Sequence, residues 1–150
     1  MKVFIAGPRA INSLDEKIKK RLTDIVNQEF TVLVGDADGV DNNVQQFFNN
    51  INYKDVLVYA SKGIARNNIG NWSIENVEVK DNVHGFNFYA AKDIKMAEDA
   101  DYGFMIWNGE SKGTLNNIIN LTRFNKKVIL YFTPHKKFYC INNCVPIKGT

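Results

Sequence analysis

The sequence predicts the α/β fold class: one domain built on a doubly wound, mainly parallel sheet with helices on both faces. Three observations carry this. Short, uniformly apolar runs recur along the chain, which is how strands buried on both sides read. Between them, apolar residues recur at three- and four-residue steps, the spacing of amphipathic helices. Glycine-rich turns follow several of the apolar runs, where strand gives way to helix. The 150 residues suit one hydrophobic core. The expected domain is 1–150, with a core from about 3 to 131 and an unassigned segment at 132–150.

The elements follow in order. Val3-Phe4-Ile5-Ala6 reads as a buried strand that stops at Gly7-Pro8. Ser13-Leu14-Asp15-Glu16 has the spacing of a capping box. Leu14, Ile18, Leu22, Ile25 and Val26 then give a helix one apolar face. Thr31-Val32-Leu33-Val34 is the second strand. The helix after it turns Val40, Val44, Phe47, Phe48 and Ile51 inward. Asp55 to Tyr59 is the third strand. Residues 60–85 are polar and irregular, with a short strand at Ile74 to Val79. A helix from Phe86 to Asp99 leads into the strand Tyr102 to Trp107. Leu115, Ile118, Ile119 and Thr122 mark another helix, and Lys127 to Tyr131 the last clear strand. This is a Rossmann-like order, in which ligands bind outside the carboxyl ends of the strands at the topological switch point.

Composition bounds the function. Apolar residues make up 45% and charged residues 23%, which excludes disordered, collagen-like and coiled-coil classes. No apolar run approaches the ~20 residues of a membrane helix. The amino-terminal residues carry no apolar targeting segment, so the expected location is cytoplasmic, without a membrane partner. The formal net charge is +3. Lys17, Lys19, Lys20 and Arg21 cluster, as do Lys126-Lys127 and Lys136-Lys137. Such clusters read as solvated faces, and the balance is mild, so nucleic acid is an unlikely partner. His84, His135, Cys140 and Cys144 lack zinc-site spacing. Two reduced thiols, no metal and no cofactor are expected.

Three loops at strand ends have the chemistry of a ligand site. Gly7-Pro8-Arg9 offers close backbone approach and a guanidinium for a phosphate, or is a plain turn with a surface arginine. Gly35-Asp36-Ala37-Asp38-Gly39-Val40-Asp41 suits a tight strand-to-helix turn. One of Asp38 and Asp41 is expected to cap the helix, and the other aspartates to accept from ribose hydroxyls. It is not a calcium loop, because the twelfth position from Asp36 is Phe47. The third loop is Asn108-Gly109-Glu110-Ser111-Lys112-Gly113-Thr114. Its amides, the Ser111 and Thr114 hydroxyls and Lys112 can meet one phosphate, although the order is not that of a Walker loop.

Two single residues stand apart. Tyr89, Asp93, Met96 and Ala100 share one helical stripe. A carboxylate on that apolar stripe is costly unless it is paired or opens on a cleft. Trp72 lies in the irregular segment, either pinning it to the core or offering a face on which a base stacks.

Four motifs in order, Gly7-Pro8-Arg9, Gly35 to Asp41, Lys92-Asp93-x-x-Met96 and Ser111-Lys112-Gly113-Thr114, resemble those of the SLOG superfamily. That superfamily holds the Lonely-guy-type phosphoribohydrolases, the DNA-processing protein DprA and small stand-alone proteins. The match runs from Val3 to about Tyr131. The chain is also similar in places to nucleoside 2-deoxyribosyltransferases, at Ala6-Gly7-Pro8 and Asp93. In both enzyme groups Gly-Thr-x-x-Glu carries a catalytic glutamate. Here the stretch is Gly113-Thr114-Leu115-Asn116-Asn117, and an amide is neither nucleophile nor general base.

The leading expectation is therefore a protein that binds a nucleotide or nucleotide-derived ligand at the carboxyl ends of the strands. The contacts would be Gly7, Pro8, Arg9, Gly35, Asp36, Gly39, Asp41, Trp72, Gly109, Ser111, Lys112, Gly113, Thr114 and Asn117. The resemblance implies two alternatives: an N-glycosidic hydrolase or transferase with Asp93 as the acting carboxylate, and DprA-like nucleic-acid binding. It also implies a homo-oligomer, a dimer.

Overall fold

The computed structural model describes residues 1–79 and 86–142. Its strands are β1 (Lys2–Ala6), β2 (Thr31–Val34), β3 (Val56–Ser61), β4 (Ser73–Val77), β5 (Tyr102–Trp107), β6 (Lys127–Phe132) and β7 (Lys137–Ile141). The helices are α1 (Glu16–Asn27), α2 (Val40–Asn50), α3 (Phe86–Asp99) and α4 (Lys112–Arg123). One seven-stranded sheet runs β4-β3-β2-β1-β5-β6-β7. Neighbours are parallel throughout except β7, which pairs antiparallel with β6. The fold is α/β and Rossmann-like. The chain winds outward from β1 in one direction and resumes at β5 in the other. The switch point therefore lies between β1 and β5.

Side chains of one strand alternate between two cores. Val3, Ile5, Val32, Val34, Val58, Phe104 and Ile106 meet Ile18, Leu22 and Ile25 of α1 and Val44 and Phe48 of α2. Phe4, Leu33, Tyr59 and Met105 meet Met96 and Ala97 of α3 and Ile118 and Leu121 of α4. Strands covered on both sides need no polar face, and this is why they are so plain in the sequence.

Several expectations are corrected. Asp15, not Ser13, caps α1: its Oδ1 accepts from the Ile18 amide at 3.0 Å. Asp15 stands at the helix start, and its other oxygen accepts from the Tyr131 hydroxyl, which ties α1 to β6. Neither Asp38 nor Asp41 caps α2, whose N-cap is Gly39, without a side-chain cap bond. Helix α4 turns Leu115 and Ile119 outward and buries Thr114, Asn117, Ile118 and Leu121 instead. Ile51 is likewise exposed. The segment after Phe132, unreadable in the sequence, forms a turn and the edge strand β7. Cys140 on that exposed strand is disulfide-bonded, against the expected reduced thiols. An exposed edge-strand thiol is open to oxidation, and residue composition carries no signal of that. Cys144 and His84 lie outside the described residues. No helix among the described residues is long and apolar enough to cross a membrane.

Candidate functional site

A cavity of about 740 Å³ opens where the winding reverses, above the carboxyl ends of β1 and β5. Of the residues singled out in the sequence, it is lined by Gly7, Pro8, Arg9, Gly35, Asp41, Asp93, Ser111, Lys112, Gly113, Thr114 and Asn117. Arg66, Tyr89 and Lys92 also line it, and none of these was read as a site residue.

The amino end of α4 forms one wall. Asn108 Oδ1 accepts from the amides of Glu110 (2.9 Å) and Ser111 (3.0 Å), turning the chain into the helix. Ser111 is the N-cap; its Oγ accepts from the Thr114 amide at 3.2 Å and the Thr114 hydroxyl at 3.0 Å. The two hydroxyls are thus largely spent on the cap, which corrects the picture of both free to meet a phosphate. A hydroxyl has one hydrogen and two lone pairs, so Ser111 keeps its own hydrogen to donate. The Lys112 and Gly113 amides, first in the helix, find no acceptor among the described residues. A Cβ built on Gly113 meets nothing closer than Ser111 Oγ at 4.0 Å. One turn further on, Asn117 is 5% exposed, and its Oδ1 has no hydrogen-bond partner among the described residues. A buried polar atom without a partner costs on the order of 1–3 kcal/mol.

The opposite wall is ionic. Asp36 is buried and does not line the cavity. Its Oδ1 takes Arg66 Nη2 at 2.7 Å and Lys92 Nζ at 2.9 Å, and its Oδ2 takes the Arg66 amide at 2.9 Å. Burial alone would raise this carboxyl; the Arg66 hydrogen bond and the Lys92 charge outweigh it and hold it at about 2. Asp36 therefore positions two cations, which corrects its reading as a ligand contact. Tyr89 lies under the Arg66 guanidinium, 4.4 Å from ring centroid to Cζ.

Asp41 and Asp93 differ from Asp36. Burial lifts Asp41 to about 7, against the pull of Lys92 and of the Ala37 amide that donates to it at 3.1 Å. Burial lifts Asp93 to about 6, against Lys92 and Arg66. Asp93 adds negative charge beside Asp41, and Asp36 adds it beside both, so each carboxyl takes up its proton near neutrality. Asp93 on the apolar stripe of α3 is accommodated because it opens on the cavity.

Three expected contacts lie elsewhere. Trp72 is 8% exposed within the first core, and its Nε1 donates to the Tyr53 carbonyl at 2.9 Å. It pins the segment and has no free face for a base. Gly39 has φ +77°, and a Cβ there would lie 2.4 Å from the Arg9 carbonyl oxygen. It serves the close approach of two loops. Gly109 has φ +81° and packs toward Phe132. Among the described residues, no group of three or more His, Cys, Asp or Glu side chains is placed to hold a metal ion.

No family model matches the chain, and no curated protein matches it in sequence. Among solved structures it is similar to DNA processing protein A from Helicobacter pylori, described for its single-stranded DNA binding mode. The TM-score is 0.63 at 15% identity over 87% of this chain. The likeness is one of fold, and the chain spans 64% of that protein's chain. The finding corrects the expectation that a nucleic-acid partner is unlikely and a small nucleotide preferred. A protein of this fold binds single-stranded DNA, so a mild charge balance is no ground for setting that partner aside.

Proposed function

We propose that the cleft above β1 and β5 binds single-stranded nucleic acid, with one nucleotide unit of the strand seated in the cavity. The observation that carries this reading is the amino end of α4. Two unpaired amides, a capping hydroxyl with a hydrogen to give and a partial positive charge converge there beside the buried, unpartnered Asn117 Oδ1. A phosphate accepts from Ser111, Lys112 and Gly113, with Arg9 and Lys112 as mobile counter-charges. Asn117 accepts from a base or sugar donor. The fold likeness to a single-stranded-DNA-binding protein adds support.

Gly113→Asp tests the reading with little risk to folding. The side chain has room, and an acidic residue in the first turn favours a helix. It also places a negative charge where the phosphate sits. A fluorescent oligothymidylate should bind the wild type and lose at least about tenfold in affinity, ~1.4 kcal/mol, in the variant. Equal anisotropy titrations for the two proteins would remove the phosphate from α4.

A second reading is favoured by the Asp41–Asp93 pair alone. A carboxyl that holds its proton near pH 6–7 is a competent general acid for a departing base. On this reading Asp93 gives its proton to the departing base while a water molecule bonds to C1′ in its place, so the N-glycosidic bond of the seated nucleotide is hydrolysed. Free base would appear from a strand or nucleotide panel and vanish in Asp93→Asn. No base release from any substrate would dispose of it.

A further inference from the structure

Two lysine clusters far apart in the sequence meet on one surface. Lys17 and Lys20 of α1 and Lys136 and Lys137 at the β6–β7 turn, with Phe138, line a second concavity of about 420 Å³. Lys17 Nζ donates to the Lys136 carbonyl at 2.8 Å, across 119 residues of chain. Among the described residues, none of these four lysines is paired with a carboxylate. Phe138 is 38% exposed, and the Arg21 guanidinium lies 5.3 Å from its ring centroid. Lys136 adopts φ +51°, a left-handed backbone that glycine or asparagine fills more easily. A surface that only keeps a protein soluble mixes its charges. This one gathers a single sign around an aromatic ring, and concave fields of one sign concentrate counter-charges.

We infer that this basic patch is a second contact for the same single strand, holding its phosphates on Lys17, Lys20, Lys136 and Lys137 beside a stacking surface made by Phe138 and Arg21. The inference rests on the nucleic-acid reading of the cleft. Cationic grooves interleaved with aromatic rings hold single strands without reading their sequence. The turn that carries Lys136 leaves the carboxyl end of β6, at the same end of the parallel strands as the cleft. From β1 to β7 is three strand spacings, about 14 Å. A single nucleotide cannot touch both places, whereas a strand several nucleotides long can. Affinity should therefore grow with length.

The test combines Lys17→Gln, Lys20→Gln and Lys136→Gly in one protein. The last change suits the left-handed backbone and offsets the loss of the exposed Lys17 Nζ bond to the Lys136 carbonyl, and the melting temperature of the variant is measured beside its affinity. Strands of about 4 and about 20 nucleotides are titrated into the wild type, this variant and Gly113→Asp. The expected result is that the triple variant loses about tenfold or more on the long strand only. Its dependence of log affinity on log salt should flatten by about 2, from roughly 0.7 per lost phosphate contact. Long-strand binding equal to wild type overturns the inference. Anionic phosphatidylglycerol vesicles are titrated in parallel, and a loss confined to them also overturns the inference, since it would make the patch a lipid contact. If the triple variant loses both strands while Gly113→Asp loses neither, the patch stands and the cleft reading falls. If Gly113→Asp alone loses binding, the cleft stands and the patch falls.

Discussion

Asp41 and Asp93 carry the clearest consequence at the scale of single residues. Both carboxyls are raised above their ordinary value of 3.8, to about 7 and about 6. The folded protein thus holds protons that the unfolded chain has released. The corresponding stability is full below about pH 4 and is lost as pH rises through 6 to 7. Asp41→Asn keeps an acceptor for the Ala37 amide and removes the buried charge. It should raise the unfolding free energy measured by urea titration by up to a few kcal/mol at pH 8 and change it little at pH 4. A variant less stable than wild type at pH 8 would show that Asp41 is held ionised by its partners. Trp72 gives the opposite kind of prediction. Trp72→Phe leaves the Tyr53 carbonyl without its donor and should cost about 1–3 kcal/mol. Strand affinity at temperatures where the variant is folded should be unchanged. Asp93 was legible because a carboxylate interrupts an apolar stripe. Arg66 and Lys92 were not, because their importance lies in sharing Asp36, a residue 30 and 56 positions away. No local spacing records such a triad.

At the scale of elements, legibility followed the physics of burial. β1, β2, β3, β5 and β6 sit inside the sheet, covered on both faces, and read as unbroken apolar runs. The edge strands do not: β4, Ser-Ile-Glu-Asn-Val, and β7, Lys-Phe-Tyr-Cys-Ile, are mostly exposed. β4 was nonetheless read as a short strand, at Ile74 to Val79 against the observed Ser73–Val77, whereas the connection between β3 and β4 was opaque. It is ordered by buried polar groups rather than by apolar periodicity. Gln45, wholly buried on α2, donates to the Gly35 and Asn67 carbonyls and accepts from the Ile69 amide. Asp36 takes the Arg66 amide. These bonds hold Arg66 at the cavity, so the segment belongs to the site wall. The loop after β1 depends on Gly39 in the same way, since the Arg9 backbone occupies the space where a Cβ would stand. Gly39→Ala should cost about 1–3 kcal/mol from the left-handed backbone alone and should weaken strand binding by displacing Arg9. A variant with wild-type melting temperature and affinity would show that the two loops move independently.

At the scale of the whole molecule, the net charge of +3 understated the site, because charge is distributed by fold and not by sequence. The cavity wall carries Arg9, Arg66, Lys92 and Lys112 against Asp41, Asp93 and Glu110. Lowering the pH from 8 to 5.5 protonates Asp41 and Asp93 and leaves the cations in excess. Binding of an oligothymidylate, whose bases do not titrate there, should tighten by about tenfold, ~1.4 kcal/mol. Asp41→Asn removes one of the two charges and leaves Asp93 ionised at pH 8, so it should recover part of that gain there. Affinity that is flat with pH would mean the strand does not enter the cavity. The central claim, that a single strand lies across the carboxyl ends of β1 and β5, is tested most directly by photocross-linking. A bromodeoxyuridine-substituted single strand is irradiated on the protein and the adducts are mapped by mass spectrometry. The account predicts adducts on peptides holding residues 7–10, 89–93 and 108–117. Adducts confined to the outer faces of α2 or α3, or none under conditions where the strand is retained, would contradict it.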